Sequence, residues 1–140
     1  MLWDFPIELI PDEEDGGFVV TFPDIPEAIT QGENREEVFL YAQESLETAL
    51  MMYIEKQRDL PRPSPAKNHP TISPDALECA KLSIYVAMRE QKVPKMELAQ
   101  RLHWHIPQVV QLFDLDYTSQ LAQIEQVAAS LGKRVELQIV

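Results

Sequence analysis

One cysteine stands in this sequence of 140 residues, so no disulfide can form within the chain. Cys79 falls inside a helical pattern, at a position suited to packing rather than to nucleophilic chemistry. Long apolar runs are missing too: the longest, Ala49 to Ile54, is far short of the roughly 20 residues that span a bilayer. The start, "MLWDFPIEL", has neither a basic n-region nor an apolar h-region, so no secretory signal is expected, and the cytoplasm is the expected compartment. Positive charge is the third scarcity. Twelve Lys and Arg face twenty-three Asp and Glu, for a net charge of −11. With 45% apolar and 25% charged residues, the composition is still that of a folding globular chain rather than a disordered one.

The shortage of cations is confined to one end. Residues 1–65 hold fifteen acids against four bases, and residues 66–140 hold eight of each. Such asymmetry suggests two modules with different partners, against the plainer reading that surface acids serve solubility. In the first half, "WDFPIELIP" and "FVVTFP" flank "DEEDGG", whose Gly16 and Gly17 can take positive φ, which predicts a hairpin. That loop lacks the length and ligand spacing of a calcium-binding EF-hand. "AITQGE" predicts a third strand ending at Gly32. The period then changes: Asn34 is an N-cap, Glu36 and Glu37 fall in the first turn, and Val38, Ala42, Leu46, Ala49 and Tyr53 share one face. This predicts a helix to about Gln57, roughly 33 Å long. Five prolines from Pro61 to Pro74 then exclude helix and predict a linker over 60–73, in which "HPTIS" can be a strand returning to the first sheet. The expected domains are 1–73 and 74–140.

The second half is predicted to be all-α with a terminal strand, which makes the class α+β. Ser73 as N-cap with Pro74 at N1 opens a helix to about Gln91, with Leu77, Ala80, Ile84 and Ala87 or Met88 on its inner face. "PKMELAQRL", a turn at "HWHI", a helix opening near Pro107, and a last helix follow. Leu121, Ile124, Val127, Ala128 and Leu131 of the last helix face inward before Gly132, and "RVELQIV" alternates as a strand. Leu98 to Phe113 fits a DNA-binding helix-turn-helix, with Leu98, Ala99, Leu102, Val109, Leu112 and Phe113 packed inward. Gln108 and Gln111 face outward, with His105 just before them; these side chains can bond base edges, while Lys92, Lys95 and Arg101 are the cations placed for phosphates. The reading helix has no Lys or Arg, His103 stands where such turns usually hold glycine, and Asp114 and Asp116 stand where cations would help. Two copies are therefore needed for affinity, and a homodimer or homotetramer is expected. His103 and His105 have no third ligand at usable spacing, so no metal site is expected.

The stretch "GGFVVTFPDIPEAITQGENREEVFLYAQESLETAL", then a proline-rich break and a helix-turn-helix, resembles the HicB antitoxins of bacterial toxin-antitoxin pairs. The matching elements are Gly16 and Gly17, "F-x-DIPEA" at Phe22 to Ala28, "T-x-GE" at Thr30 to Glu33, and the acids at the head of the long helix. The resemblance covers nearly the whole chain and is strongest over residues 5–50, "ELAQRL" and "AASLGK". It implies a truncated, catalytically inactive RNase H-like β-β-β-α-β domain that binds HicA, a small basic ribonuclease toxin, and a Cro-like domain that represses the operon. No enzyme activity and no cofactor are implied. Acidic residues complement a basic partner and speed association, so the expected toxin contacts are Asp24, Glu27, Glu33, Glu36 and Glu37, with Phe22 and Ile25 as apolar anchors. The residues leave two other readings open: a ligand-sensing regulator without a toxin, and an RNase H-like nuclease, although strands one to three hold only Glu8 in a strand interior.

Overall fold

The computed structural model describes residues 2–140 and divides the chain into two units, Met1–Pro74 and Asp75–Val140. Mixed α and β structure is present, as expected. No helix among the described residues is long and apolar enough to cross a membrane.

Unit 1 begins with β1 (Phe5–Pro6) and β2 (Glu8–Pro11), where a single strand was expected. The division falls at Ile7, whose N–H donates to Pro70 O at 2.9 Å, so the chain serves two ladders in succession. β3 (Phe18–Thr21) and β4 (Ile29–Gly32) complete an antiparallel sheet of order β2-β3-β4, with Glu8 opposite Thr21 and Phe18 opposite Gly32. The hairpin between β2 and β3 is closed by Asp12, whose carboxylate accepts the N–H groups of Glu14 (3.1 Å) and Asp15 (3.3 Å). Gly17 takes φ +75°, and a Cβ there would lie 2.2 Å from Gly32 O, so both conformation and space demand glycine.

Asn34 caps α1 (Arg35–Glu55) by accepting the Glu37 N–H at 2.8 Å. At 21 residues the helix is roughly 31 Å long. Its stripe of Val38, Ala42, Leu46, Ala49, Leu50 and Tyr53 packs on β3 and β4 and buries Trp3, Phe5, Ile7, Val20, Phe22 and Ile25 beneath it. β5 (Thr71–Ile72) returns antiparallel to β1, with Ile72 opposite Phe5. The proline-rich approach to β5 is held in unit 1 rather than spanning open space. Ser64 donates both its N–H and its hydroxyl to the Asp24 carboxylate, and Arg62 lies 5.3 Å above the Trp3 ring.

Unit 2 packs four helices: α2 (Ala76–Glu90), α3 (Lys95–Leu102), α4 (Ile106–Leu112) and α5 (Leu121–Ser130). The cap of α2 is Asp75 rather than Ser73. Asp75 accepts the Glu78 N–H at 2.8 Å, whereas the Ser73 hydroxyl donates to Trp3 O and to the Asp4 carboxylate in unit 1. Of the expected inner face of α2, Ile84, Ala87 and Met88 are buried while Leu77 and Ala80 are only half-buried; Lys81, Leu82 and Tyr85 are buried beside them. Leu121, expected inward, is exposed at the head of α5. Residues 134–140, expected as a strand, form none: a lone strand has no partner for its main-chain groups within unit 2.

Gly17→Ala is expected to destabilise unit 1 by at least about 2 kcal/mol, because the new Cβ meets main-chain oxygen at a left-handed φ. Gly16→Ala, at φ +73° in open space, should cost about 1 kcal/mol. Denaturant titrations of both variants followed by Trp3 fluorescence test the difference.

Candidate functional site

In unit 1 four of the exposed carboxylates lie on α1 and on the turns that flank β4. Glu27, Glu33, Glu36 and Glu44 are all exposed there. Periodicity of 3.6 sets Glu37, Leu40, Tyr41, Glu44 and Thr48 on one side of α1, opposite the buried stripe. An open groove of about 400 Å³ is lined by Glu27, Thr30, Tyr41, Glu44, Thr48 and Met52, among others. Large apolar side chains are exposed as well: Leu40 and Tyr41, 55% and 39% exposed, on α1, and Ile29, 62% exposed, on the sheet face turned away from α1, since Thr30 and Gly32 on either side of the alternation face the helix. Both Glu27 oxygens accept the Tyr53 hydroxyl at 2.9 Å. Burial, then the Glu27 carboxylate, hold that phenol above its ordinary pKa, so it remains a donor. Glu37 is half-buried, and its carboxylate accepts the Glu33 N–H at 3.3 Å, reciprocating the Asn34 cap.

In unit 2, α3 and α4 are joined through His103, Trp104 and His105. His103 occupies the left-handed region at φ 56°, ψ 40°, the conformation that favours glycine at a helix C-terminus. Trp104 N–H closes the turn on Ala99 O at 3.0 Å. Leu98, Ala99, Leu102, Val109, Leu112 and Phe113 are all buried, and Tyr85 meets Phe113 edge-on at 6.1 Å. Gln108 and Gln111 are exposed on α4; the Gln108 amide oxygen accepts the His105 N–H at 2.8 Å.

Beneath α4 lies Lys81, only 1% exposed. Its ammonium donates to three main-chain oxygens, Gln111 O (3.2 Å), Asp114 O (2.7 Å) and Tyr117 O (2.5 Å), so all three of its protons are used. Burial pulls its pKa below the usual lysine value, opposed by the charges of Asp114, Glu78 and Asp75. Asp114 thus turns its carbonyl toward Lys81, while its carboxylate accepts the Asp116 N–H at 3.0 Å. Arg101 bridges Glu97 at 3.3 Å and donates to Ser130 O at 3.0 Å, while Lys95 sits 5.7 Å from the Phe113 ring and Lys92 is exposed.

The profile of the HicB-like antitoxin of bacterial toxin-antitoxin systems matches residues 4–83. Antitoxin HicB 1 of Photorhabdus laumondii is 35% identical over 135 residues, covering 96% of this chain and 86% of the relative. Antitoxin HicB of Escherichia coli K12 is 34% identical over 137 residues, covering 97% of this chain and 99% of the relative. Antitoxin HicB 2 of Photorhabdus laumondii is 33% identical, covering 95% and 94%. The chain belongs to the HicB-like antitoxin family.

For a HicB-like chain the residues named from sequence divide into three groups. Glu27, Glu33 and Glu36 are exposed. Asp24 and Glu37 are engaged by Ser64 and by the helix cap. Phe22 and Ile25 are 2% and 0% exposed, so they belong to the core and present no surface to a partner; the "DIPEA" segment turns them inward, with Ile25 N–H bonded to Phe22 O and Ala28 N–H to Ile25 O at 3.0 Å each. The large apolar side chains exposed in this HicB-like unit are Leu2, Ile10, Ile29, Leu40 and Tyr41. Leu40 and Tyr41 carry a signal, since both fall off the buried stripe of α1. Among the described residues, no group of three or more His, Cys, Asp or Glu is arranged to hold a metal.

Lys81→Met should lower the stability of unit 2 by about 3 kcal/mol, since three carbonyl oxygens lose their shared donor. Thermal melts followed by Trp104 fluorescence provide the measurement, with Trp3→Phe in the background to isolate that signal.

Proposed function

We propose that this HicB-family chain neutralises a small basic ribonuclease of the HicA type through unit 1 and represses its own operon through unit 2. On this reading unit 1 is the truncated RNase H-like module, unit 2 is Cro-like, α3 and α4 form its helix-turn-helix, and both tasks are performed in the cytoplasm. The chain acts by occupying surfaces and not by catalysis.

The observation that carries the reading is the partition of charge. Unit 1 holds fifteen acids against five bases, whereas unit 2 holds eight against seven. A cationic RNA-binding surface is drawn to the first, and the attraction raises the association rate more than it raises the final affinity. Final affinity requires desolvated anchors at the centre of the interface. Leu40 and Tyr41 supply such anchors, with Glu44 on the same side of α1 and Glu27 across the groove. Unit 2, close to neutral, can approach DNA. Gln111 is the chief candidate for base contact, because the Gln108 oxygen is already bonded to His105. Lys92, Lys95 and Arg101 are the cations for phosphates, and two copies double their number.

The decisive experiment mixes the purified chain with the basic protein encoded in the adjacent reading frame and follows RNA cleavage. Stoichiometric inhibition is expected; unimpeded cleavage with no complex formed sinks the reading. Leu40→Asp should weaken the complex at least tenfold, chiefly through faster dissociation, whereas Glu33→Lys combined with Glu36→Lys should mainly slow association and reduce its salt dependence. Surface plasmon resonance at two salt concentrations separates the two effects. Gln111→Ala should reduce binding to the chain's own promoter by about 5- to 150-fold, the range of about 1–3 kcal/mol for a base contact, and leave toxin binding unchanged.

A further inference from the structure

The two ends of α4 are fixed in different ways. The helix packs chiefly on α3, and the left-handed turn at His103 sets how it departs from that helix. Its far end is reached from α2, where Lys81 and Tyr85 stand one turn apart on the same face. Lys81 Nζ donates to Gln111 O in the last turn of α4 and to Asp114 O and Tyr117 O in the loop beyond, while Tyr85 abuts Phe113, the residue that caps the helix. Gln111 O also accepts the Asp114 N–H at 3.2 Å, and Asp114 O accepts the Tyr117 N–H at 3.1 Å, so the ammonium and the loop's own main chain converge on the same oxygens. The last carbonyls of a helix have no partner within it and form its negative end. A cation suits them best, and none of the seven residues of α4 is basic. The buried ammonium of Lys81 therefore ties the end of α4 to a helix on which α4 does not chiefly pack.

We propose, on the reading of α3 and α4 as a helix-turn-helix, that Lys81 is a positioning residue for operator selectivity: its clamp on Gln111 O, Asp114 O and Tyr117 O sets the angle between α4 and α3, and so the base edge that Gln111 reaches. A helix of seven residues is roughly 10 Å long, so each 10° of tilt about its start moves its far end by roughly 2 Å. Gln111, in the last turn, is displaced the most. A contact to a base edge does not survive such a shift, because hydrogen bonds weaken beyond about 3.2 Å. Lys92, Lys95 and Arg101 lie before or on α3 and keep their places when α4 tilts. Contacts to phosphates carry affinity for any duplex, whereas contacts to base edges carry selectivity. Lys81 thus acts on selectivity alone, from beneath the helix and without touching DNA, since all of its protons are committed to main-chain oxygens.

Two measurements on the full chain test this. Residual dipolar couplings of the amide N–H groups in α3 and α4 give the angle between the helices without DNA, and Lys81→Met should change it beyond the error of the couplings. Competition between the chain's own promoter and a random duplex, at a temperature where the variant is fully helical by circular dichroism, should show promoter affinity lowered at least tenfold and random-duplex affinity changed by less than about twofold. Ile124→Ala is the control for stability: it opens a cavity under α5, which packs chiefly on α2 and α3, and should leave promoter affinity unchanged in the folded protein. Should the Met protein fail to fold, Lys81→Gln, which keeps two donors on a shorter side chain, replaces it and should give smaller changes in the same direction. An unchanged interhelical angle overturns the proposal, as does unaltered selectivity or an equal loss in Ile124→Ala. A wild-type chain with no preference for its promoter sinks the operator reading itself, and the couplings separate that failure from a failure of the clamp.

Discussion

Mutual repulsion among fifteen carboxylates in 74 residues is the constraint to which the rest of unit 1 answers. At physiological salt, charges within roughly 8 Å of one another still interact, and five basic residues cannot neutralise the set. The fold satisfies several acids with neutral donors. Asp12 takes the N–H groups of its own hairpin, Asp24 takes Ser64, Glu27 takes the Tyr53 hydroxyl, and Glu37 takes the Glu33 N–H. Each bond organises local structure without cancelling charge. The negative potential survives folding, and a core as tight as that formed by Trp3, Phe5, Phe22, Leu46 and Leu50 is what lets the unit tolerate it.

Unit 2 solves a different problem, which is to hold a helix of seven residues in one orientation. A helix that short is not stable by itself in water. Its inner face contributes Val109 and Leu112, and the carbonyls at its far end converge on Lys81 from α2. A buried ammonium is costly unless fully bonded, and here its three protons meet three oxygens. The exposed Gln111 side chain is thus carried on a residue whose carbonyl is tethered from below. Position on the surface is set by a contact in the interior.

Features governed by neighbours in sequence were legible from it. The Gly16–Gly17 hairpin, the Asn34 cap and the buried stripe of α1 each depend on spacing within a few residues, and each occurs where the pattern places it. Features decided by distant partners were not. Ser73 has the chemistry of an N-cap, yet Trp3 and Asp4 engage its hydroxyl, and Asp75 does the capping. Phe22 and Ile25 flank acids in a loop-like stretch, as surface anchors would, but a short turn folds them under the sheet. Lys81 reads as an ordinary helical lysine until the carbonyls 30 or more residues away are in place. The terminal alternation predicted a strand over residues 134–140, and the structure forms none there, because alternation by itself does not supply a second strand.

The same reasoning bears on how the two proposed tasks combine in one chain. Any operator contact made by unit 2 is made with unit 1 attached, and the excess of ten acids over bases in that unit repels the phosphate backbone. With three cations available for phosphates, one copy has little to set against that repulsion. Joining two copies turns the second contact into an intramolecular one, which raises affinity without any new cation. The gain depends on both units 2 facing the same DNA, a requirement that a closed two-fold interface meets and an open, head-to-tail arrangement does not.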